Sequence, residues 1–151
     1  YAMLCTQAAQ QLGKTAVTMR RTMITDIVDP KTFRGDASLS VVCNRNLVCL
    51  LFDILRKQTS NGEMEVEADL MNDGYVRFFV SMSSFLHDRN DLQRLFMPES
   101  SRSIPFLLCR QIIRDHSEGT SHRGCGIFAR QDESGAVVVE FTLPAAENLM
   151  Q

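Results

Sequence analysis

Between Glu63 and Asp69 the chain alternates strictly, and that alternation constrains the fold more than any other feature. Met64, Val66 and Ala68 interleave with Glu63, Glu65, Glu67 and Asp69, so side chains of opposite polarity point to opposite sides of a strand. Asn72-Asp73-Gly74 supplies the backbone conformations of a tight turn, and Tyr75 to Ser81 returns as a second strand. A hairpin with one apolar face is not stable by itself and needs a second layer to cover it. Two segments with helical spacing can provide that layer. Asn44 to Gln58 places Leu47, Leu50, Leu51, Ile54 and Leu55 on one broad face, and Ile104 to His116 is a second strong helix with Pro105 in its first turn. A second hairpin closes the chain: Gly126 to Arg130, a turn at Asp132-Glu133-Ser134-Gly135, then Ala136 to Leu143. Leu39 to Cys43 is a further short strand, and Asp91 to Phe96 forms a short helix. The expected architecture is α+β: a two-layer sandwich whose mixed, mostly antiparallel sheet carries its helices on one face.

Upstream of this unit, Cys5, Ala9, Leu12, Ala16, Met19 and Met23 recur by fours and threes, a heptad seam that predicts an N-terminal helix over residues 1–30. The seam suits homodimerisation, and it equally suits a helix packed on its own domain. Residues 31–38 read as a linker and residues 39–146 as the main domain. Composition excludes several classes. A net charge of −2 argues against a phosphate-tracking surface, so no nucleic-acid partner is expected. No apolar run approaches the ~18 residues that span a bilayer, nothing at the N-terminus reads as a signal peptide, and no membrane insertion is expected. Five cysteines, odd in number and scattered, read as buried thiols in a reducing, cytoplasmic setting.

Residues that carry chemistry are sparse. His87, His116 and His122 have no HExxH or CxxC companion, and Cys43 and Cys49 are too far apart to pair as ligands on adjacent helical turns, so no metal site is expected. Ser83-Ser84 and Ser100-Ser101 lack the strained elbow that exposes a nucleophile. His116 closes a helix, where an imidazole caps carbonyls or meets solvent more readily than it acts as a base. The acidic row Glu63, Glu65, Glu67 shares one side of a strand, and mutual repulsion keeps that side in water.

The order and spacing of the elements carry a resemblance. Cys49 to Thr59 reads CLLFDILRKQT, to be set beside a family motif NLLxNAxKxT. Val80 to His87 reads VSMSSFLH against VxDxGxGI, with Phe96 fourteen residues after Met82, where the family places a phenylalanine. Ser103 to Glu118 reads SIPFLLCRQIIRDHSE against GLGLxIVxxIVxxHGG, and Gly135 with Val137 to Pro144 matches a glycine turn and a strand ending in Leu-Pro. From Leu39 to Pro144 the chain resembles the ATP-binding domain of sensor histidine kinases, the Bergerat-type ATPase fold.

The resemblance implies a nucleotide pocket whose scaffold positions match and whose chemical positions mostly do not. Asp53 stands where the family has a magnesium-holding asparagine, and it would hold Mg²⁺ if any residue does. Lys57 follows it on the same helix and would pair with phosphate in an active enzyme. Met82 replaces the aspartate that accepts the adenine amino proton and offers no comparable acceptor. Ser84, Leu86, Ser103 and Pro105 replace glycines whose bare backbone approaches nucleotide; Pro105 also lacks an N–H. Met82, Phe85, Leu86 and Phe106 would form an apolar floor in the vacated space. The implied function is a regulatory or interaction domain of a two-component-type signalling protein, with protein partners, no catalytic residue and no cofactor. It fits the cytoplasmic part of a larger, membrane-attached sensor. One rival is a divergent active kinase that binds ATP and Mg²⁺; another is an unrelated small-molecule-binding α+β domain. Residues 1–28 resemble the second helix of the dimerising hairpin that precedes such domains, and they contain no phosphoacceptor histidine.

Overall fold

The computed structural model describes residues 19–98, 104–120 and 124–146. Seven strands and two α-helices follow in order: β1 (Arg20–Met23), β2 (Phe33–Gly35), β3 (Ser40–Cys43), α1 (Arg45–Arg56), β4 (Glu65–Leu70), β5 (Tyr75–Met82), α2 (Ile104–Thr120), β6 (Ile127–Gln131) and β7 (Val137–Pro144). Five strands form the main sheet in the order β2-β4-β5-β7-β6, antiparallel except where β2 runs parallel to β4. β1 and β3 form a separate antiparallel pair, tied to the end of β7 by a bridge between Val41 and Ala145.

The expected sandwich is what forms. Alternation sends Val66, Val76, Phe78, Val80, Val139 and Phe141 to the covered face, where they meet Leu51, Ile54 and Leu55 of α1 and Phe106, Ile112 and Ile113 of α2 in one continuous core. Phe78 and Phe141 are register partners on neighbouring strands, and their rings stack at 4.8 Å. Phe52 of α1 meets both edge-on, at 6.3 and 5.7 Å, and so fixes the helix to the middle of the sheet. α1 begins where Asn44 caps it, its side-chain oxygen accepting the Leu47 N–H at 3.1 Å. The acidic row points to water as expected, with Glu63, Glu65 and Glu67 all exposed.

Two boundaries differ from the sequence reading. Residues 20–23 are extended and residues 24–26 form a single 3₁₀ turn, so the N-terminal helix does not reach residue 30. Pairing with β3 decides this, from Arg20 opposite Cys43 to Met23 opposite Ser40, and that partner lies 17 to 23 residues away and leaves no local periodicity. Met23 therefore sits in a strand, and the seam positions Cys5, Ala9, Leu12 and Ala16 lie outside the described residues. Within the supposed linker 31–38, Phe33–Gly35 is a sheet strand with Phe33 opposite Val66. The domain thus extends back to Arg20.

Candidate functional site

Among the described residues, those singled out by the resemblance lie along and at the C-terminal end of α1, at the end of β5 and just beyond it, and in the first turn of α2. Asp53 projects from the exposed side of α1 and pairs with Arg56 at 3.4 Å, one turn along the same helix. Lys57 caps that helix and is exposed. Met82 ends β5 on its covered face and is fully buried.

Beyond Met82 the chain turns at Ser83 and Ser84 and then pairs briefly with the loop that leaves α1. The Ser60 N–H donates to the Ser84 carbonyl at 3.0 Å, the Leu86 N–H donates to the Gln58 carbonyl at 2.8 Å, and Thr59 bridges Phe85 between them. Across this bridge Phe85 is buried, Leu86 is exposed and Ser84 is half-buried. Ser84 donates its hydroxyl to the Asn61 side-chain oxygen at 2.7 Å. Leu86 is 58% exposed and does not belong to the expected apolar floor. Met82, Phe85 and Phe106 are buried as expected of that floor.

An aromatic cluster fills the interior side of this segment. Phe106, in the first turn of α2, has Phe85 at 6.3 Å, His87 at 5.4 Å and Phe96 at 5.8 Å between ring centroids. His87 also packs edge-on against Phe85 at 5.3 Å, and its Nε2 lies 2.7 Å from Oε1 of Gln58. The Gln58 amide nitrogen donates to the Ile54 carbonyl at 2.9 Å, which leaves Oε1 as the acceptor and makes His87 the donor. Phe96 joins the cluster through Phe106, a contact that the expected apolar floor did not include. The participation of Gln58 and His87 was not read from the sequence, because the two are 29 residues apart and neither lies in a regular pattern.

Pro105 is half-buried in the first turn of α2, and Ser103 lies outside the described residues. His116 is not at a solvated helix end: it is fully buried, its Nδ1 2.7 Å from the Ile112 carbonyl and its Nε2 accepting the Asn44 N–H at 3.1 Å. Its position one turn beyond Ile112 and Ile113, on the face shared with Phe106 and Cys109, is the signal that could have revealed it. Among the described residues no group of three or more His, Cys, Asp or Glu could hold a metal ion. A cleft of about 580 Å³ opens elsewhere, where outward side chains of β2, β4 and β5 meet the β6–β7 turn; Lys31, Arg34, Glu63, Ser81, Ser83 and Asp132 line it. It is open rather than closed, and Arg34 and Glu65 already pair with each other there at 3.2 Å.

No family model matches the sequence, and no curated protein does. Solved structures match well. The nucleotide-free catalytic domain of histidine kinase ThkA aligns with a TM-score of 0.57 at 16% identity, over 83% of this chain and 95% of that one. The mycobacterial sensor histidine kinase MprB aligns at 0.54 and 10% identity, over 84% of this chain and 97% of that one. ThkA in complex with the response regulator protein TrrA aligns at 0.62 and 17% identity, over 86% of this chain and 42% of that one. The chain has the fold of histidine kinase catalytic domains.

Proposed function

We propose that this chain is a regulatory or interaction domain of a two-component-type signalling protein, built on a histidine kinase ATPase scaffold that no longer binds nucleotide. The observation that carries this reading is the pairing of residues 58–60 with 84–86. A backbone that approaches a nucleotide must offer free N–H groups and no side chains. Here the Leu86 N–H is engaged by Gln58, and Phe85 is turned into an aromatic cluster with Phe106. The other positions point the same way. Met82 brings a buried thioether where adenine needs an acceptor, and Pro105 brings no N–H. Asp53, the residue that the resemblance offers to Mg²⁺, faces solvent beside Arg56. These residues do not fit an adenine nucleotide with magnesium, and no phosphoryl transfer is assigned to them.

A scaffold without chemistry acts through its surfaces, so the partners are proteins. The solved complex of ThkA with a response regulator is consistent with protein partners for domains of this fold. A homodimer through residues 1–18 belongs to the same proposal, and Leu12→Glu tests it by reducing the mass measured by light scattering. No helix of the described residues is long and apolar enough to cross a membrane, which suits a cytoplasmic part of a sensor. Thermal denaturation with and without Mg-ATP tests the core of the proposal. A ligand at about 100 times its Kd stabilises a protein by about 2.7 kcal/mol, a readily measured rise in Tm. No rise is expected at millimolar Mg-ATP, and a rise of several degrees contradicts the reading.

A further inference from the structure

We propose that the outer edge of β6 is a docking site for an extended, acidic segment of a partner protein, which joins the main sheet as a sixth strand. β6 is the last strand of that sheet. Its register fixes which main-chain groups face outward. Gly126, Phe128 and Arg130 stand opposite Thr142, Glu140 and Val138, and the Gly126 carbonyl accepts the Thr142 N–H at 3.2 Å. The ladder continues at the turn, where the Asp132 N–H donates to Ala136 at 2.9 Å. Alternation then turns the N–H and C=O groups of Ile127, Ala129 and Gln131 away from β7, and these make no main-chain hydrogen bond among the described residues. The strand reads Ile-Phe-Ala-Arg-Gln, without the proline or lysine that commonly blunts a free edge.

A groove of about 300 Å³ runs beside this edge, lined by Phe96, Met97, Pro98, Arg110, Ile127 and Phe128. Met97 is 47% and Phe128 50% exposed, an apolar lining left in water. An added strand sends alternate side chains to one side, so its apolar residues enter this groove while its backbone completes the ladder. Charge selects the occupant. Arg110 lines the groove and has no anionic partner among the described residues, whereas Arg130 of β6 is already paired with Glu140 at 2.7 Å and leaves Arg110 as the unmatched charge. A second copy of the chain would bring another unmatched Arg110 to the seam, like charge against like, whereas a carboxylate on a partner segment meets it with opposite charge. This site stands whether or not the domain binds nucleotide, and the two are read by separate titrations.

The test is amide hydrogen exchange on the whole chain with capped heptapeptides. One alternates valine with aspartate, one alternates valine with lysine, and one is the aspartate peptide N-methylated at every second residue. With the aspartate peptide, the Ile127, Ala129 and Gln131 amides should exchange about tenfold or more slowly, while Phe128 and Arg130, already bonded to β7, change little. The lysine and N-methylated peptides should have no such effect. Arg110→Glu should abolish protection by the aspartate peptide and confer it on the lysine peptide. Unchanged exchange with the aspartate peptide overturns the proposal, as does equal protection by either control. Protection in concentrated protein without peptide, together with a doubled mass, assigns the edge to a second copy and overturns the partner assignment.

Discussion

The ring of His116 accepts the backbone N–H of Asn44 at 3.1 Å, joining the fourth turn of α2 to the cap of α1 across 72 residues of sequence. The other ring nitrogen lies 2.7 Å from the Ile112 carbonyl, which can only accept, so Nδ1 carries the proton and Nε2 is bare. The histidine is therefore neutral by construction. Burial pushes its pKa below the ordinary value, against the opposing effect of the Ile112 carbonyl.

That depression sets a pH dependence. The unfolded chain takes up a proton near the ordinary value of about 6.5, while the folded chain resists it until lower pH. Stability is then full above about pH 6.5 and falls as pH drops toward the folded value, at most about 1.4 kcal/mol per pH unit. Urea midpoints should fall from pH 7.5 to 5.5 in the natural chain and fall less in His116→Gln. Asp115 has the opposite sign, since burial raises its pKa, whereas Asp36 and Asp132 are lowered from an already acidic value and act below this window.

Phe106→Ala removes the ring that Phe85, His87 and Phe96 all touch. The site is fully buried, and large-to-small changes of this kind cost about 3–5 kcal/mol. Denaturant unfolding should show a loss of that size. A loss below about 1 kcal/mol would mean that the cluster does not fill its space tightly.

Gly124 holds its position because of Tyr75. The Gly124 N–H donates to the Tyr75 hydroxyl at 2.8 Å, and a Cβ at residue 124 would stand 2.8 Å from the nearest ring carbon. Gly124→Ala must swing the ring aside and lose the bond, costing about 1 kcal/mol. Tyr75→Phe removes the hydroxyl that accepts from Gly124 and should cost about 0.5–1.5 kcal/mol, but in that background Gly124→Ala should cost less than it does alone.

The thiols should be graded in reactivity. Burial pushes Cys43 up to about 11 and Cys125 up to about 12, and raises Cys109 as well. Cys49 is half-buried and less protected. A thiol reagent at pH 8 should label Cys49 before Cys43 or Cys109, which should react only as the protein unfolds. Because these thiols ionise more readily once unfolded, stability should also fall as pH rises above about 9.

The elements with a strong period were legible in sequence, and those made by distant pairing were not. The alternation of Glu63 to Ala68 and the helical face of Leu47 to Leu55 each contain their own evidence of burial, and the structure follows both. β1 offers only Thr22 to the interior among four residues, so nothing local contradicts a helix there. β2 is three residues long and is specified by β4, more than thirty residues downstream. At the candidate site, the burial of Met82 was expected from the resemblance, while the strand itself runs one residue past its expected end at Ser81 and so continues the inward series of Val76, Phe78 and Val80. The exposure of Leu86 was not expected, because it depends on Thr59 and Phe85 coming together across the fold.

Isothermal titration of the chain with Mg-ATP tests the loss of the nucleotide site most directly. On the proposed reading three separate contacts are altered: Met82 at the adenine position, Ser84 with Leu86 at the first glycine turn, and Pro105 with Ser103 at the second. At about 1–2 kcal/mol each, their loss removes roughly 3–6 kcal/mol and carries a micromolar site to about millimolar or weaker. A degenerate site gives no saturable heat below about 1 mM, and Met82→Asp with Ser84→Gly and Leu86→Gly should then tighten binding. Saturable binding of Mg-ATP with a Kd below about 50 µM would contradict it.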